Sequence, residues 1–346
     1  MNNLFVCHSQ ANLLLAVSLS VGRFSSDTND LILFQDFAMR DELKAVLQTC
    51  FSRVLFRSGT YPAIQKSWKE KIKRYPKDLK AIKVFIGKTM YDKVFEVCDD
   101  CIPEIYILKK TNRNNACVEQ IWLEDGSYPY FRNTIDLSGF SSNSFTRWVR
   151  KCLLKYICAF GRFYDFRGMY MGANYLLKTV YLTFPGQQRS EYKDKIVVGI
   201  SDEEFKNGLK VMYPPKSENR LDDDSCLIVM DKLDVYKDLG LVEKVVARFV
   251  SGQMKSGKKV YYKYHPREES SLQALESCEE VSKFTGVENI YSSNISASLT
   301  VVGIKSTGLQ NAKKLGFKVI SMAPAVNEDD ENLMNFYCHI GIKIVK

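Results

Sequence analysis

Histidine is scarce in this chain, with three copies in 346 residues, and neither His8 nor His339 sits in a pattern with a nucleophilic Ser or Cys. That leaves no case for a hydrolase triad. No G-x-x-x-x-G-K-[ST] and no G-x-G-x-x-G occurs, which argues against ATP hydrolysis and dinucleotide redox chemistry. No apolar run is long enough to span a bilayer. No charged-then-apolar leader with a small-residue cleavage site is present, so a cytoplasmic protein is expected. The ten cysteines lack a disulfide rhythm, and Cys7, Cys152, Cys158 and Cys226 sit within apolar runs, as in a reduced compartment. Cys98-Asp99-Asp100-Cys101 is a single C-x-x-C with no second pair and no nearby His, which speaks against zinc. No repeat of fixed period is found.

What is present suits a globular protein. Hydrophobic residues make up 45% and charged residues 26%, and 346 residues exceed what one core usually holds, so two domains are expected. Lys and Arg outnumber Asp and Glu 49 to 40. The net charge of +9 suits nucleotides, anionic lipid or nucleic acid without choosing among them.

Short apolar runs alternate with helical patterns. Strands are expected at 3–7, 31–37, 54–56, 84–86, 104–108 and 118–123, with helices at 11–21 and 40–50. The basic stretch 66–83 reads as a solvated helix face broken at Pro76. Residues 185–195 are polar and read as the crossover, giving domains 1–188 and 189–346. The second half repeats the logic with strands at 196–200, 227–230, 260–264, 299–304 and 318–322, and helices at 239–250 and 331–339. This alternation predicts α/β with largely parallel sheets. Residues 145–171 interleave Arg and Lys with aromatics, which fits an interfacial membrane helix or a core helix whose basic side chains snorkel outward.

Three short constellations could carry chemistry, and each has a plainer reading. Glu124-Asp125-Gly126-Ser127 closes an apolar strand; a carboxylate beside a like charge can be raised toward a general-base pKa, or the group is an acidic turn. His265-Pro266-Arg267 closes another strand; His and Arg can serve a departing phosphate, or Pro merely ends the ladder. Ser306-Thr307-Gly308 opens a helix after a strand, a seat for phosphate or an ordinary N-cap. Asp222-Asp223-Asp224 precedes its strand and reads as a solvated loop, as does the acidic stretch 328–331.

The order E-D-G, then H-P-R, then S-T-G resembles the bacterial sialyltransferases of lipooligosaccharide and capsule and the related polysialyltransferases. The opening Leu4-Phe5-Val6-Cys7-His8-Ser9 is similar to the first strand and loop of the lipooligosaccharide group. Where those families often show Pro and an acidic residue, this chain has Ser292-Ser293-Asn294-Ile295-Ser296.

The resemblance implies a GT-B fold, two Rossmann-like domains facing a central cleft, with the acceptor on the first and CMP-sialic acid on the second. It implies an inverting transfer that needs no metal or other cofactor. By carry-over from the polysialyltransferases Glu124, the favoured choice, or Asp125 deprotonates the acceptor, with Asp231 or Asp234, where the lipooligosaccharide group holds its base, as the alternative. His265 donates to the phosphate of departing CMP, while Gly126, Pro266, Arg267, Ser306, Thr307 and Gly308 flank the donor, and His8 and Ser9 form an acceptor-side loop.

The expected partners are a CMP-sugar and a glycan or glycolipid of a bacterial surface, reached from the inner face of the membrane through 145–171. Two rivals stand beside this reading. One is a polysialyltransferase or a transferase of another CMP-ulosonic acid such as Kdo. The other is a non-catalytic basic protein that binds nucleotide or nucleic acid.

Overall fold

The computed structural model describes residues 1–37, 39–59, 68–99, 101–131, 171–172, 174–282 and 285–345. By its internal contacts the chain divides into two units, 1–208 and 209–346.

The first unit is built on a seven-stranded parallel sheet of order β3-β2-β1-β4-β5-β6-β7. The strands are β1 Asn2–Cys7, β2 Thr28–Gln35, β3 Arg53–Ser58, β4 Lys93–Glu96, β5 Glu119–Leu123, β6 Thr179–Leu182 and β7 Ile196–Gly199. Helices α1 Gln10–Val21, α2 Asp41–Cys50, α3 Trp68–Ile86 and α4 Ile102–Asn114 follow the first four strands. Central strand β1 is buried from Asn3 to Cys7, as a parallel strand covered on both faces must be. Phe5 and Phe95 stack at 4.4 Å across the β1–β4 pair.

The second unit carries a six-stranded parallel sheet of order β10-β9-β8-β11-β12-β13. Its strands are β8 Cys226–Val229, β9 Val260–Lys263, β10 Glu279–Glu280, β11 Thr300–Gly303, β12 Lys318–Ser321 and β13 Lys343–Ile344. Helix α5, Asp202–Met212, spans the division between the units. Further helices are α6 Leu239–Lys255, α7 Val287–Asn294, α8 Thr307–Lys314 and α9 Glu331–His339. Renumbered within its own unit, this order is 3-2-1-4-5-6, the Rossmann order, and the first sheet adds one strand to it. Both halves therefore have a switch point, between β1 and β4 in one and between β8 and β11 in the other.

Several elements differ from the sequence reading. Residues 104–108 are helical, within α4, because Glu104, Ile107, Leu108 and Thr111 are buried at helical spacing. Residues 84–86 close α3, with Ile82 and Ile86 inward and Val84 74% exposed, which no buried strand would allow. The helix also runs through Pro76. Arg74 and Asp78 pair across it at 2.8 Å, and Arg57 holds the same carboxylate from β3, so the turn persists without the missing N–H. Strand 196–199 pairs with β6 and so completes the first sheet instead of opening the second, which carries the first unit past 188 to Gly208. The basic aromatic residues 145–170 lie outside the described residues. Among the described residues, no helix is long and apolar enough to cross a membrane.

Candidate functional site

In the first unit the chain turns at the end of β1 through His8 and Ser9 into α1. Ser9 caps the helix, accepting from the Asn12 N–H at 3.3 Å, and the Asn12 side chain accepts from the Ser9 N–H at 3.0 Å in return. The same two side chains hold Asp125, whose Oδ1 accepts from Ser9 Oγ at 3.3 Å and Asn12 Nδ2 at 3.1 Å. Burial pushes the Asp125 carboxyl above its ordinary range, against the pull of Asn12 and of the His8 charge. Asp125 is half-buried. Gly126 follows with φ +57° and empty space where a Cβ would stand, so conformation and not room calls for glycine.

Glu124 has a different post. Its carboxylate is 5% exposed and accepts from the Thr183 N–H at 2.6 Å, from Thr183 Oγ1 at 2.7 Å and from the Tyr130 hydroxyl. It joins the end of β5 to the end of β6.

His8 is closed to solvent and stacks on Phe34 at 4.7 Å. Its Nδ1 lies 3.2 Å from Asp36 Oδ2 and its Nε2 2.8 Å from Glu104 Oε1. Burial lowers its pKa, and Glu104 with Asp36 outweigh burial, raising it to about 10. His8 is thus a cationic pin under the Asp125 turn. The sequence reading made it part of an acceptor-side loop and missed Asn12, Asp36, Glu104, Tyr130 and Thr183. Asp36 alone left a signal, a carboxylate just past a strand end.

In the second unit three strand ends meet. Asp231 follows β8, His265 follows β9, and Lys305-Ser306 follow β11. Asp231 Oδ2 accepts from the Tyr236 hydroxyl at 2.9 Å and from the Lys305 N–H at 3.3 Å, bridging the switch point. Burial raises the Asp231 pKa, opposed by Tyr236, Lys305 and Ser306. Gly303 permits the approach of the two strands, since a Cβ there would stand 2.8 Å from the Val229 carbonyl oxygen. Asp234, the other alternative base, is exposed and paired with Lys232.

His265 is half-buried, and its Nδ1 accepts from the Arg267 N–H at 3.2 Å. Burial, then the Arg267 charge, lowers its pKa. Pro266 and Arg267 are exposed beside it. Glu268, 6% exposed, closes the turn by accepting from the N–H groups of Leu233, Glu269 and Ser270 at 2.5, 2.9 and 2.8 Å. Burial disfavours its charge, yet those N–H groups prevail and its pKa lies below the ordinary value.

Ser306 caps α8, its Oγ accepting from the Gly308 N–H at 3.3 Å. Thr307 is exposed on the first turn and Gly308 is buried. Lys305 Nζ pairs with Glu328 at 2.8 Å, and Glu328 is 9% exposed, so residue 328 belongs to the site and not to a solvated loop. His339 lies on the surface of α9, bonded to the Asn335 carbonyl.

The model of the alpha-2,8-polysialyltransferase family matches residues 38–323. The fold is similar to that of UDP-GlcNAc 2-epimerase from Methanocaldococcus jannaschii, at 11% identity and TM-score 0.60, covering 100% of this chain and 89% of that one. It is also similar to UDP-GlcNAc 2-epimerase from Neisseria meningitidis bound to UDP-GlcNAc, at 12% identity and TM-score 0.51, covering 98% and 91%. At these identities the likeness shows the fold, the GT-B class expected from the sequence. A comparison with curated proteins finds no match.

Proposed function

The chain belongs to the alpha-2,8-polysialyltransferase family, and on that footing we propose that it moves sialic acid from CMP-sialic acid to a hydroxyl of a bacterial surface glycan, with inversion and without a metal. The observation that carries the reading is the gathering of Asp231, His265 and the capped start of α8 at the switch point of the second sheet. Ligands of open α/β sheets bind at such points.

The leaving group is a nucleoside monophosphate. His265 donates a proton to its phosphate, and the N–H groups at the start of α8 take the oxygens, with Arg267 as a mobile counter-charge. These donors suit a single phosphate, which is why the proposal needs no divalent ion. Asp231 keeps the loop of Lys305 and Ser306 in place and is a positioning residue in this scheme.

On the acceptor side we assign the base to Asp125. Its partners are donors, it is half-buried, and burial has already raised its pKa above the ordinary carboxylate range. Glu124, with Thr183 and Tyr130 on its oxygens, is assigned to support the strand ends. The family description favours a sialoside as acceptor, hence repeated transfer. Peripheral contact with anionic lipid through the basic aromatic stretch 145–171 belongs to the same proposal.

The test is CMP release from CMP-N-acetylneuraminic acid with EDTA present, with and without sialosides and galactosides. Acceptor-dependent release that disappears in His265→Ala, in a protein that still melts normally, supports the proposal. No release and no CMP binding overturns it, and steep salt-dependent binding of nucleic acid instead would establish the binding-protein alternative.

A further inference from the structure

Behind His8, where β4 runs into α4, the first unit assembles a group that its sequence gave reason to dismiss. Cys98 lies in the connecting loop, Cys101 is the N-cap residue of α4, and Glu104 stands in the first turn of that helix. Their spacing of three and three puts two thiols and a carboxylate on one side of the helix start. One donor atom from each lies within 4.8 Å of the others, and the two sulfurs are 2.9 Å apart. A tetrahedral ion at about 2.3 Å from sulfur and about 2.1 Å from oxygen sets two sulfurs about 3.7 Å apart, so the two thiols part by somewhat under about 1 Å to receive it.

A second observation points to a cation at this place. Glu96, the last residue of β4, has 0% exposure, and neither carboxylate oxygen has a hydrogen-bond partner among the described residues. Its electrostatic neighbours are Glu104, Asp99 and Cys101, all acidic groups. A buried carboxylate without a bond is costly, and neighbours of like sign make it costlier. His8, the positive charge that reaches Glu104, is already shared with Asp36.

We propose that Cys98, Cys101 and Glu104 hold a zinc-class divalent cation, with the unbonded carboxylate of Glu96 beside it. Two thiolates with a carboxylate are a donor set for that ion. The two thiols give up their protons on binding, so the site gains two thiolates for one dication. His8 Nε2, bonded to Glu104 Oε1, is then the outer partner that orients a ligating carboxylate. The role is structural. The ion pins the β4–α4 loop, whose Asp99 also accepts from the N–H groups of Gly172 and Asn174 at 3.0 and 2.7 Å. None of the three donors is assigned to sialyl transfer, so the proposal stands or falls apart from that reading.

The full chain, made in zinc-supplemented medium and freed of any polyhistidine tag, is analysed for metal by elemental mass spectrometry. About one zinc per chain is expected. Replacement by Co²⁺ should bring near-ultraviolet thiolate-to-cobalt absorption. Cys101→Ser should weaken zinc binding by about tenfold or more, and Glu96→Gln by about tenfold. Cys117→Ser, at an exposed thiol elsewhere, should leave the stoichiometry unchanged. If Cys101→Ser does not fold, zinc transfer from the wild type to a chromophoric chelator and the cobalt spectrum still decide. A wild-type chain that is metal-free after zinc supplementation and gives no thiolate–cobalt band overturns the proposal. So does a Cys98–Cys101 disulfide found in the chain in place of metal.

Discussion

The carboxylate of Glu268 accepts the backbone N–H of Leu233 at 2.5 Å across 35 residues of chain, tying the turn after His265 to the turn after Asp231. Because N–H groups hold the carboxylate ionised, its pKa is depressed, and its stabilising effect is present above the ordinary Glu pKa. The effect is lost as pH falls through the lowered value. Glu268→Gln is expected to cost about 1–3 kcal/mol at pH 7. Urea midpoints of variant and wild type should draw together as pH falls below the ordinary Glu range; a gap that does not narrow would contradict the assignment.

Asp125 and Glu124 are adjacent and should fail in opposite ways. Asp125→Asn keeps the shape of the turn and removes the proposed base, with an expected fall in transfer of about 10²–10⁴-fold at unchanged melting temperature. Glu124→Gln places an amide against the donors of Thr183 and Tyr130, with an expected stability loss of about 1–3 kcal/mol. CMP release and thermal melting, measured on both variants, separate the roles. A Glu124→Gln protein that melts normally and is dead would move the base one residue back.

How much of this was legible in the sequence can be judged from those same residues. Strand ends carrying His8, Glu124, Asp125, His265 and Ser306 could be read from apolar runs that stop at polar residues. The partners that settle what each does, Thr183 at 59 residues and Lys305 at 74 residues from the carboxylates they bond, belong to no local pattern. Short runs misled for a related reason: Ile105-Tyr106-Ile107-Leu108 has too few residues to separate period 2 from 3.6, and only burial from the sheet side decides. Strands β4 and β6, of four residues each, are strands because neighbours on both sides pair with them.

The Arg267 charge is one cause of the lowered His265 pKa, after burial. Arg267→Ala should therefore raise that pKa by the removal of a like charge, while burial still keeps it from rising far. Since the proposed acid works protonated, the alkaline limb of the transfer profile should move to higher pH in the variant. An NMR titration of His265 and a pH–rate profile should shift together; a shift in one alone would separate the histidine from the chemistry.

Asp78 is closed to solvent between Arg57 and Arg74, at the turn where α3 passes through Pro76. Asp78→Asn leaves two guanidinium groups without their shared anion, and a loss of about 3–5 kcal/mol is expected. Chemical denaturation reads it directly. A loss under about 1 kcal/mol would mean that the pairs behave like surface ion pairs.

The bond from the Lys305 N–H to Asp231 has a consequence for the order in which the protein comes into being. β8 emerges from the ribosome early in the second half, but its partner on the switch-point side, β11, is made some 74 residues later. Until then β8 has at most one neighbour, its apolar edge is open, and Asp231 lacks the Lys305 N–H. Parallel pairing across such a separation is slow, and a half-built sheet edge is where nascent chains go astray. Synthesis speed and chaperone supply over residues 226–305 should therefore govern the yield of competent protein more strongly than the stability of the finished fold.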